Sequence, residues 1–223
     1  MQRRNQSIHV TQSGFTLIEV LLVVVLVGIL AAITAPSWLA FLNRQRVGAV
    51  RSDLLTTLAN IQEEAKQKRS YQTVWIDVAN DTPRIFSGGN NANNIEVLTP
   101  QDLGGDSVPA GTVDLKAFRC ADDPCTAAST DWVEVTDING PCDNLDKACF
   151  QFNYTGAATD PNLEVLPDTA TPYTGGGPRV PFKVEISNPR SSTKSCVIVA
   201  NLLGNLKSGN DGFCDIPPGD WLN

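Results

Sequence analysis

The sequence predicts an α+β protein in which a long amino-terminal helix packs on an antiparallel β head. Residues 15–35 form an almost continuous apolar run with one ionisable residue, Glu19. Apolar residues then recur every three or four positions over residues 47–65, which is typical of one face of a helix. From residue 71 the apolar period changes to two, which indicates a strand. The predicted segments are therefore a leader at 1–14, a membrane half-helix at 15–36, an amphipathic half-helix at 37–70 and a β-rich head at 71–223.

The apolar run is long enough to cross a bilayer, since about 20 apolar residues span its hydrocarbon core. Pro36 follows the run and removes one backbone hydrogen bond. Because the helical pattern resumes at once, we expect Pro36 to bend the helix without ending it. One helix is therefore predicted over residues 15–69, with its apolar face formed by Val47, Val50, Leu54, Leu58, Ile61 and Ala65.

Glu19 is the exception within the apolar run. A charge placed in lipid costs at least ~2.5 kcal/mol unless a partner neutralises it. Cleavage after Gly14 would create a cationic amino group on Phe15. A terminus cannot easily reach four residues along its own rigid helix, so we expect the partner of Glu19 on a neighbouring subunit.

At these residues the chain resembles the type IV pilins and the type II secretion pseudopilins. The shared features are a short basic leader, Gly14 before the cut, Phe15 after it, Glu19 as the fifth mature residue, and Pro36 in the helix. The resemblance implies that a membrane-embedded prepilin peptidase cleaves between Gly14 and Phe15 and methylates the Phe15 amino group. It also implies that Glu19 pairs with a neighbour's Phe15 ammonium inside a filament. The alternatives are a plain membrane anchor or a secretory signal, although the latter is cut after its apolar region.

The resemblance also implies a location and a set of partners. Arg3 and Arg4 precede the span, which predicts a cytoplasmic leader and a periplasmic head on a single-pass inner-membrane protein. The expected partners are the peptidase, other pilin or pseudopilin subunits, the inner-membrane assembly platform, and membrane lipid before assembly. After assembly the protein would lie in a pilus or pseudopilus as a structural subunit, with no enzymatic activity and no cofactor.

Charge bears on the alternative function of capturing DNA for transformation. Residues 71–223 contain nine basic and twenty acidic residues, a formal charge of −11. Residues 195–208 resemble the closing region of the H-type minor pseudopilins and related minor type IV pilins. Some of those pilins bind DNA through a Gly-Arg-x-Arg motif, whereas here Gly204 precedes Asn205 and Lys207. One cation in place of two weakens attraction to phosphates, so no nucleic-acid partner is expected.

The six cysteines all follow the span, on the side where disulfides persist. Six cysteines allow fifteen pairings. Proximity in sequence favours the pairs Cys120–Cys125, Cys142–Cys149 and Cys196–Cys214. The only histidine, His9, lies in the leader, which argues against zinc in the mature chain.

Several other motifs have two possible interpretations. Carboxylates at Asp211, Asp215 and Asp220, and at Asp143 and Asp146, are either calcium ligands or solvated surface. Asp122 and Asp123 are either the acid–base pair of a membrane-anchored hydrolase or turn residues. Asn80 and Asn153 begin N-glycosylation tripeptides, which also arise by chance.

The head is predicted to contain several strands separated by turns. The first follows Tyr71 and includes Val74, Ile76 and Val78, with Trp75 and Asp77 on the exposed face. The remaining candidates are residues 95–98, 112–118, 132–138, 150–154, 181–187 and 196–203. Gly88 and Gly89, and the glycine run at 175–177, are predicted to be turns.

Overall fold

The computed structural model describes residues 14–89, 98–121, 125–138, 142, 147–159 and 181–221, with the backbone alone at 34–36 and 99. Several predictions fall outside these residues. They are the leader up to residue 13, the strand at 95–97, the glycine run at 175–177, and the carboxylates Asp122, Asp123, Asp143 and Asp146. The chain forms two units, Met1–Phe41 and Leu42–Asn223, which are described separately.

The amino-terminal helix α1 spans Leu17–Lys68, within two residues of the predicted bounds at each end. It ends in a Schellman motif, in which Ser70 N–H donates to the Ala65 carbonyl and Arg69 N–H to the Lys66 carbonyl. Arg69 has a φ of 50°, the left-handed conformation that this motif requires. The helix therefore ends just before the first strand begins.

The head contains two five-stranded sheets. The strands are β1 (Gln72–Asp77), β2 (Arg84–Gly89), β3 (Thr99–Asp102), β4 (Asp114–Cys120), β5 (Trp132–Val135), β6 (Cys149–Phe152), β7 (Ala158–Thr159), β8 (Phe182–Ser187), β9 (Lys194–Val199) and β10 (Leu206–Asn210). Sheet 1 has the order β3-β2-β1-β6-β7 and sheet 2 the order β10-β9-β8-β4-β5. Neighbouring strands are antiparallel throughout both sheets. The predicted fold class, a helix packed on antiparallel β structure, is confirmed.

The core lies between α1 and both sheets. All six residues of the predicted helix stripe, Val47, Val50, Leu54, Leu58, Ile61 and Ala65, are buried. They join one cluster with Phe150 and Phe152 from sheet 1 and with Phe182 and Val184 from sheet 2. The carboxyl-terminal half of α1 is thus the element that holds the two sheets together.

The predicted exposed face of β1 is wrong. Every residue of this strand is buried, including Trp75 and Asp77. Trp75 packs in a second cluster with Leu98, Cys142 and Cys149, which covers the face of the strand that was predicted to meet solvent.

The prediction of a turn at Gly88 and Gly89 is also wrong, because both residues belong to β2. A Cβ atom at Gly88 would lie 2.5 Å from Leu98 Cδ2, so the missing side chain allows Leu98 to approach the strand. Glycine here serves close packing within a strand.

Five predicted strands correspond to β4, β5, β6, β8 and β9, with boundaries shifted by up to four residues. In the candidate at 95–98, the one described residue is Leu98, which lies just before β3. The strands β2, β3, β7 and β10 were not predicted.

The structure contains the three disulfides that sequence proximity favours, Cys120–Cys125, Cys142–Cys149 and Cys196–Cys214. The last of these ties β9 to the segment after β10. Residues Asp211–Trp221, here called the C-terminal cover, form two short 3-10 helices. Cys214 and Trp221 pack on Cys196, Ile198 and Ala200, on the face of sheet 2 opposite to the helix.

Candidate functional site

The predicted processing and assembly residues lie at the start of α1. Gly14, Phe15 and Thr16 precede the helix, and Phe15 is 82% exposed. Thr16 caps the helix, since Glu19 N–H donates to Thr16 Oγ1 at 3.3 Å. The backbone of Glu19, not its carboxylate, makes this contact. Among the residues described, no basic group lies within 4 Å of the Glu19 carboxylate, so this side chain is available to a partner.

The first unit presents a continuous apolar surface. The large apolar side chains from Phe15 to Ile33 are all more than half exposed, and so are Trp38 and Leu39. Within the described chain, no single straight helix is both long and apolar enough to cross a membrane. Two segments of α1, Leu17–Ile33 and Ser37–Lys68, meet this requirement of length and composition only when they are taken together as a bent pair. The break between them contains Pro36, whose side chain is not described, so its role in the bend stays a prediction.

A buried cation is the most unusual polar feature of the second unit. Lys183 on β8 is 4% exposed. Its Nζ lies 4.5 Å from the centroid of the Phe118 ring and 4.6 Å from that of Trp132. It also donates to the Cys214 carbonyl at 2.9 Å. The two cation–π contacts therefore lie within sheet 2, and the hydrogen bond links this sheet to the C-terminal cover.

Two further hydrogen bonds attach the same cover. Trp132 Nε1 donates to the Ile216 carbonyl at 2.9 Å. Gly219 N–H donates to the Ser129 carbonyl at 3.0 Å, in a contact so close that a Cβ at Gly219 would lie 2.7 Å from the Ala127 oxygen. The cover is thus fixed by polar contacts as well as by its disulfide.

Burial is the main reason why the pKa of Lys183 is lowered from its ordinary 10.5. The Glu185 carboxylate raises this pKa, the Lys194 ammonium lowers it, and the Asp215 carboxylate raises it, each by less than burial lowers it. A base with a lowered pKa in the folded state binds fewer protons there than when unfolded. Stability therefore rises with pH between the lowered pKa and 10.5, and is constant on either side of that window. Burial thus makes the charged form of Lys183 less favourable in the folded protein than in the unfolded chain.

We expect Lys183→Met to remove this rise in the free energy of unfolding with pH. The check is urea unfolding of the full chain in detergent micelles at several pH values from about 8 to 11. Lys116→Met is the matched control, because Lys116 is exposed and pairs with Glu134 at 3.1 Å. An identical pH slope in wild type and Lys183→Met would contradict this assignment.

The structure does not assemble the calcium alternative. Within the described part of the chain, no group of three acidic, histidine or cysteine residues is arranged to hold a metal ion. Asp215 instead pairs with Lys194 Nζ, and Asp211 Oδ1 accepts a hydrogen bond from Lys194 N–H. These two carboxylates therefore stabilise the junction of β9 with the C-terminal cover.

Two other sequence motifs have local structural partners. Asn153 Oδ1 accepts hydrogen bonds from Thr155 N–H, Thr155 Oγ1 and Ala157 N–H, which closes a turn. Asn80 Nδ2 donates to Asp77 Oδ2 at 2.6 Å. Lys207, the single cation of the closing region, places its Nζ 5.1 Å from the centroid of the Trp221 ring. All three side chains have contacts within the fold.

The burial of Lys183 was not predicted from the sequence. Its position alternates with buried residues on β8, so a period-two reading assigns it to an exposed face together with Glu185. The available signal was Trp132, Phe213 and Trp221, aromatic residues near cysteines that could have indicated a cover over that face.

The amino-terminal segment matches the family model of the prokaryotic N-terminal methylation motif over residues 10–35. Two solved structures of the minor pseudopilin EpsH from the type II secretion system of Vibrio cholerae are similar to the chain. The first is 16% identical, with a TM-score of 0.37, over 75% of this chain and 93% of that one. The second is 16% identical, with a TM-score of 0.38, over 73% and 91%. No curated protein sequence matches the chain.

The matched residues 10–35 include Gly14, Phe15 and Glu19. The motif overlaps the first half of α1, whose second half packs on two antiparallel sheets. The chain therefore combines a prokaryotic N-terminal methylation motif with an α+β fold.

Proposed function

We propose that the chain is a structural subunit of a type IV pilus or a type II secretion pseudopilus. One observation carries the proposal: a single carboxylate, Glu19, lies within the methylation motif and in the first turn of an exposed apolar helix. Motifs of this kind are cleaved and methylated. The apolar surface is stable only when it is buried, and the carboxylate is stable there only when a cation neutralises it. Polymerisation through the helix meets all three requirements.

The apolar surface of the exposed helix has to be covered both before and after assembly. Burying a large apolar side chain is worth about 1.5–3 kcal/mol, and more than a dozen of them are uncovered in the first unit. Before assembly the inner-membrane lipid would cover this surface, with the head in the periplasm. After assembly the helices of neighbouring subunits would replace the lipid.

Glu19 supplies the register of that assembly. In the filament its carboxylate would pair with the methylated ammonium of Phe15 on the adjacent subunit. Such a pair forms at one axial offset between two helices, whereas apolar side chains alone tolerate several. The prepilin peptidase and the inner-membrane assembly platform are the other partners that this route requires.

The role proposed is structural and not enzymatic. The formal charge of −11 over residues 71–223 also supports assembly over capture of DNA, since an acidic surface repels phosphate backbones.

Processing provides the direct test. The full chain, co-expressed with a prepilin peptidase, is expected to lose residues 1–14 and to gain one methyl group on Phe15. Intact-mass and amino-terminal peptide mass spectrometry measure both changes. Gly14→Leu should block the cut, while Gly28→Leu, a matched change inside the helix, should leave it intact. A start that remains untrimmed, or a cut after the apolar run, would overturn the proposal.

A further inference from the structure

A basic groove lies beside the amphipathic half of α1 in the second unit. It has a volume of about 690 Å³ and is lined by Arg44, Gly48, Arg51, Ser192, Thr193, Ser195, Asn210 and Asp211. The helix contributes one wall. The connection between β8 and β9, with the end of β10, contributes the other.

The two arginines share one stripe of the helix, because positions i, i+4 and i+7 lie on the same face. Arg44, Gly48 and Arg51 have this spacing. Neither arginine has a carboxylate within 4 Å among the described residues, so both guanidinium charges lack an ionic partner. Because residues 71–223 carry a formal charge of −11, these two arginines form a local concentration of positive charge beside an acidic head.

Arg51 is held in position. Its NH1 donates to Asn210 Oδ1 at 2.6 Å, and the same oxygen accepts from Ser195 Oγ at 2.6 Å. Ser195 is buried, so this network fixes the half-buried arginine at the wall of the groove. A guanidinium held in this way keeps its remaining N–H donors for a ligand.

Gly48 keeps the floor of the groove open. Glycine inside a helix costs about 1 kcal/mol relative to alanine. Packing does not require it here, since a Cβ at Gly48 would meet nothing within 4 Å. The absence of a side chain instead leaves room between the two arginines.

We propose that this groove binds a phosphate group. Two guanidinium groups provide forked donors that match phosphate oxygens, and the hydroxyl groups of Ser192 and Thr193 add neutral donors. The Asp211 carboxylate lies at the rim, where it accepts a backbone hydrogen bond from Lys194. It opposes an anion and so limits the affinity. The phosphate is either free in solution or part of an anionic lipid headgroup.

The inference is tested with the full chain in nanodiscs of phosphatidylcholine, titrated with inorganic phosphate in a calorimeter. A second arm replaces part of the lipid by phosphatidylglycerol and follows hydrogen exchange at residues 192–195 and 208–211. Heat of binding in the first arm assigns a free phosphate. Protection in the second arm alone assigns the lipid headgroup. Both results support the site.

Matched variants make the test specific. Arg51→Gln should weaken binding about tenfold, since a charge-assisted hydrogen bond is lost. Arg46→Gln removes the same charge, but Arg46 lines a different cavity with Leu42, Gln45, Ala49 and Ser107, and this variant should bind like wild type. Gly48→Ala should weaken binding while raising the melting temperature, and Asp211→Asn should tighten binding.

Three outcomes would overturn the site. The first is the absence of both binding heat and hydrogen-exchange protection, and the second is an equal loss of affinity in Arg46→Gln and Arg51→Gln. The third is binding of a carboxylate-rich peptide without any response to phosphate. The last outcome would assign the groove to acidic side chains of another subunit. Because none of these readouts involves filament assembly, the phosphate site and the proposed function can fail independently.

Discussion

Glu19→Ala is expected to leave the protein cleaved and membrane-inserted but unable to enter a filament. Without the carboxylate, the Phe15 ammonium of the adjacent subunit would be buried in an apolar environment with no counter-charge. Leaving one partner of a buried ion pair uncompensated costs about 3–5 kcal/mol, which is over a hundredfold in each subunit addition. The helix itself should persist, because the cap at Thr16 uses the backbone N–H of Glu19.

The measurement is the amount of subunit in sheared filaments relative to the amount in the membrane, with the mature mass recorded for both pools. Glu19→Gln separates charge from size and is expected to fail like alanine. Glu64→Ala removes a half-buried carboxylate, paired with Lys68, from the same helix and is expected to assemble normally. If Glu19→Ala enters filaments in the same amount as the wild-type protein, the role proposed for this residue is wrong.

Leu58→Ala is expected to lower the free energy of unfolding of the head by about 2–5 kcal/mol. Leu58 is fully buried at the centre of the stripe where α1 meets both sheets. Truncation would remove apolar contacts and leave a cavity that the flanking strands cannot close, because each is fixed by its hydrogen-bonded neighbours.

Urea unfolding of the full chain in micelles, followed by near-ultraviolet circular dichroism, measures this loss. Asn60→Ala lies on the exposed face of the same helix and should change the free energy by no more than about 0.5 kcal/mol. If the two variants unfold at the same denaturant concentration, the helix does not hold the sheets together.

The buried face of α1 was predictable residue by residue, from Val47 to Ala65. Helix periodicity depends only on residues that are close together in sequence, so the apolar stripe and the helix bounds could be predicted directly. The same is true of strands rich in β-branched and aromatic residues, such as β8. By contrast, β2 ends in two glycines, β3 contains Pro100, and β10 contains Gly209. Their low strand propensity is overridden by pairing with neighbours that are distant in sequence.

The functional features divide in the same way. Gly14, Phe15 and Glu19 are neighbours in sequence, so a local motif was enough to propose their roles. The burial of Lys183 and the basic groove depend on which elements meet. Arg51 approaches Asn210 across 159 residues of chain, and the period of a helix carries no information about such a contact.

The order of strands in sheet 2 has a consequence for biogenesis. Its central pairing joins β4 to β8, with Ala117 opposite Val184, and much of the helix stripe is covered only when β8 and β9 are present. Such a high contact order delays folding until nearly the whole polypeptide is available. A chain truncated before residue 182 would therefore leave part of the apolar helix stripe uncovered, and we expect it to aggregate.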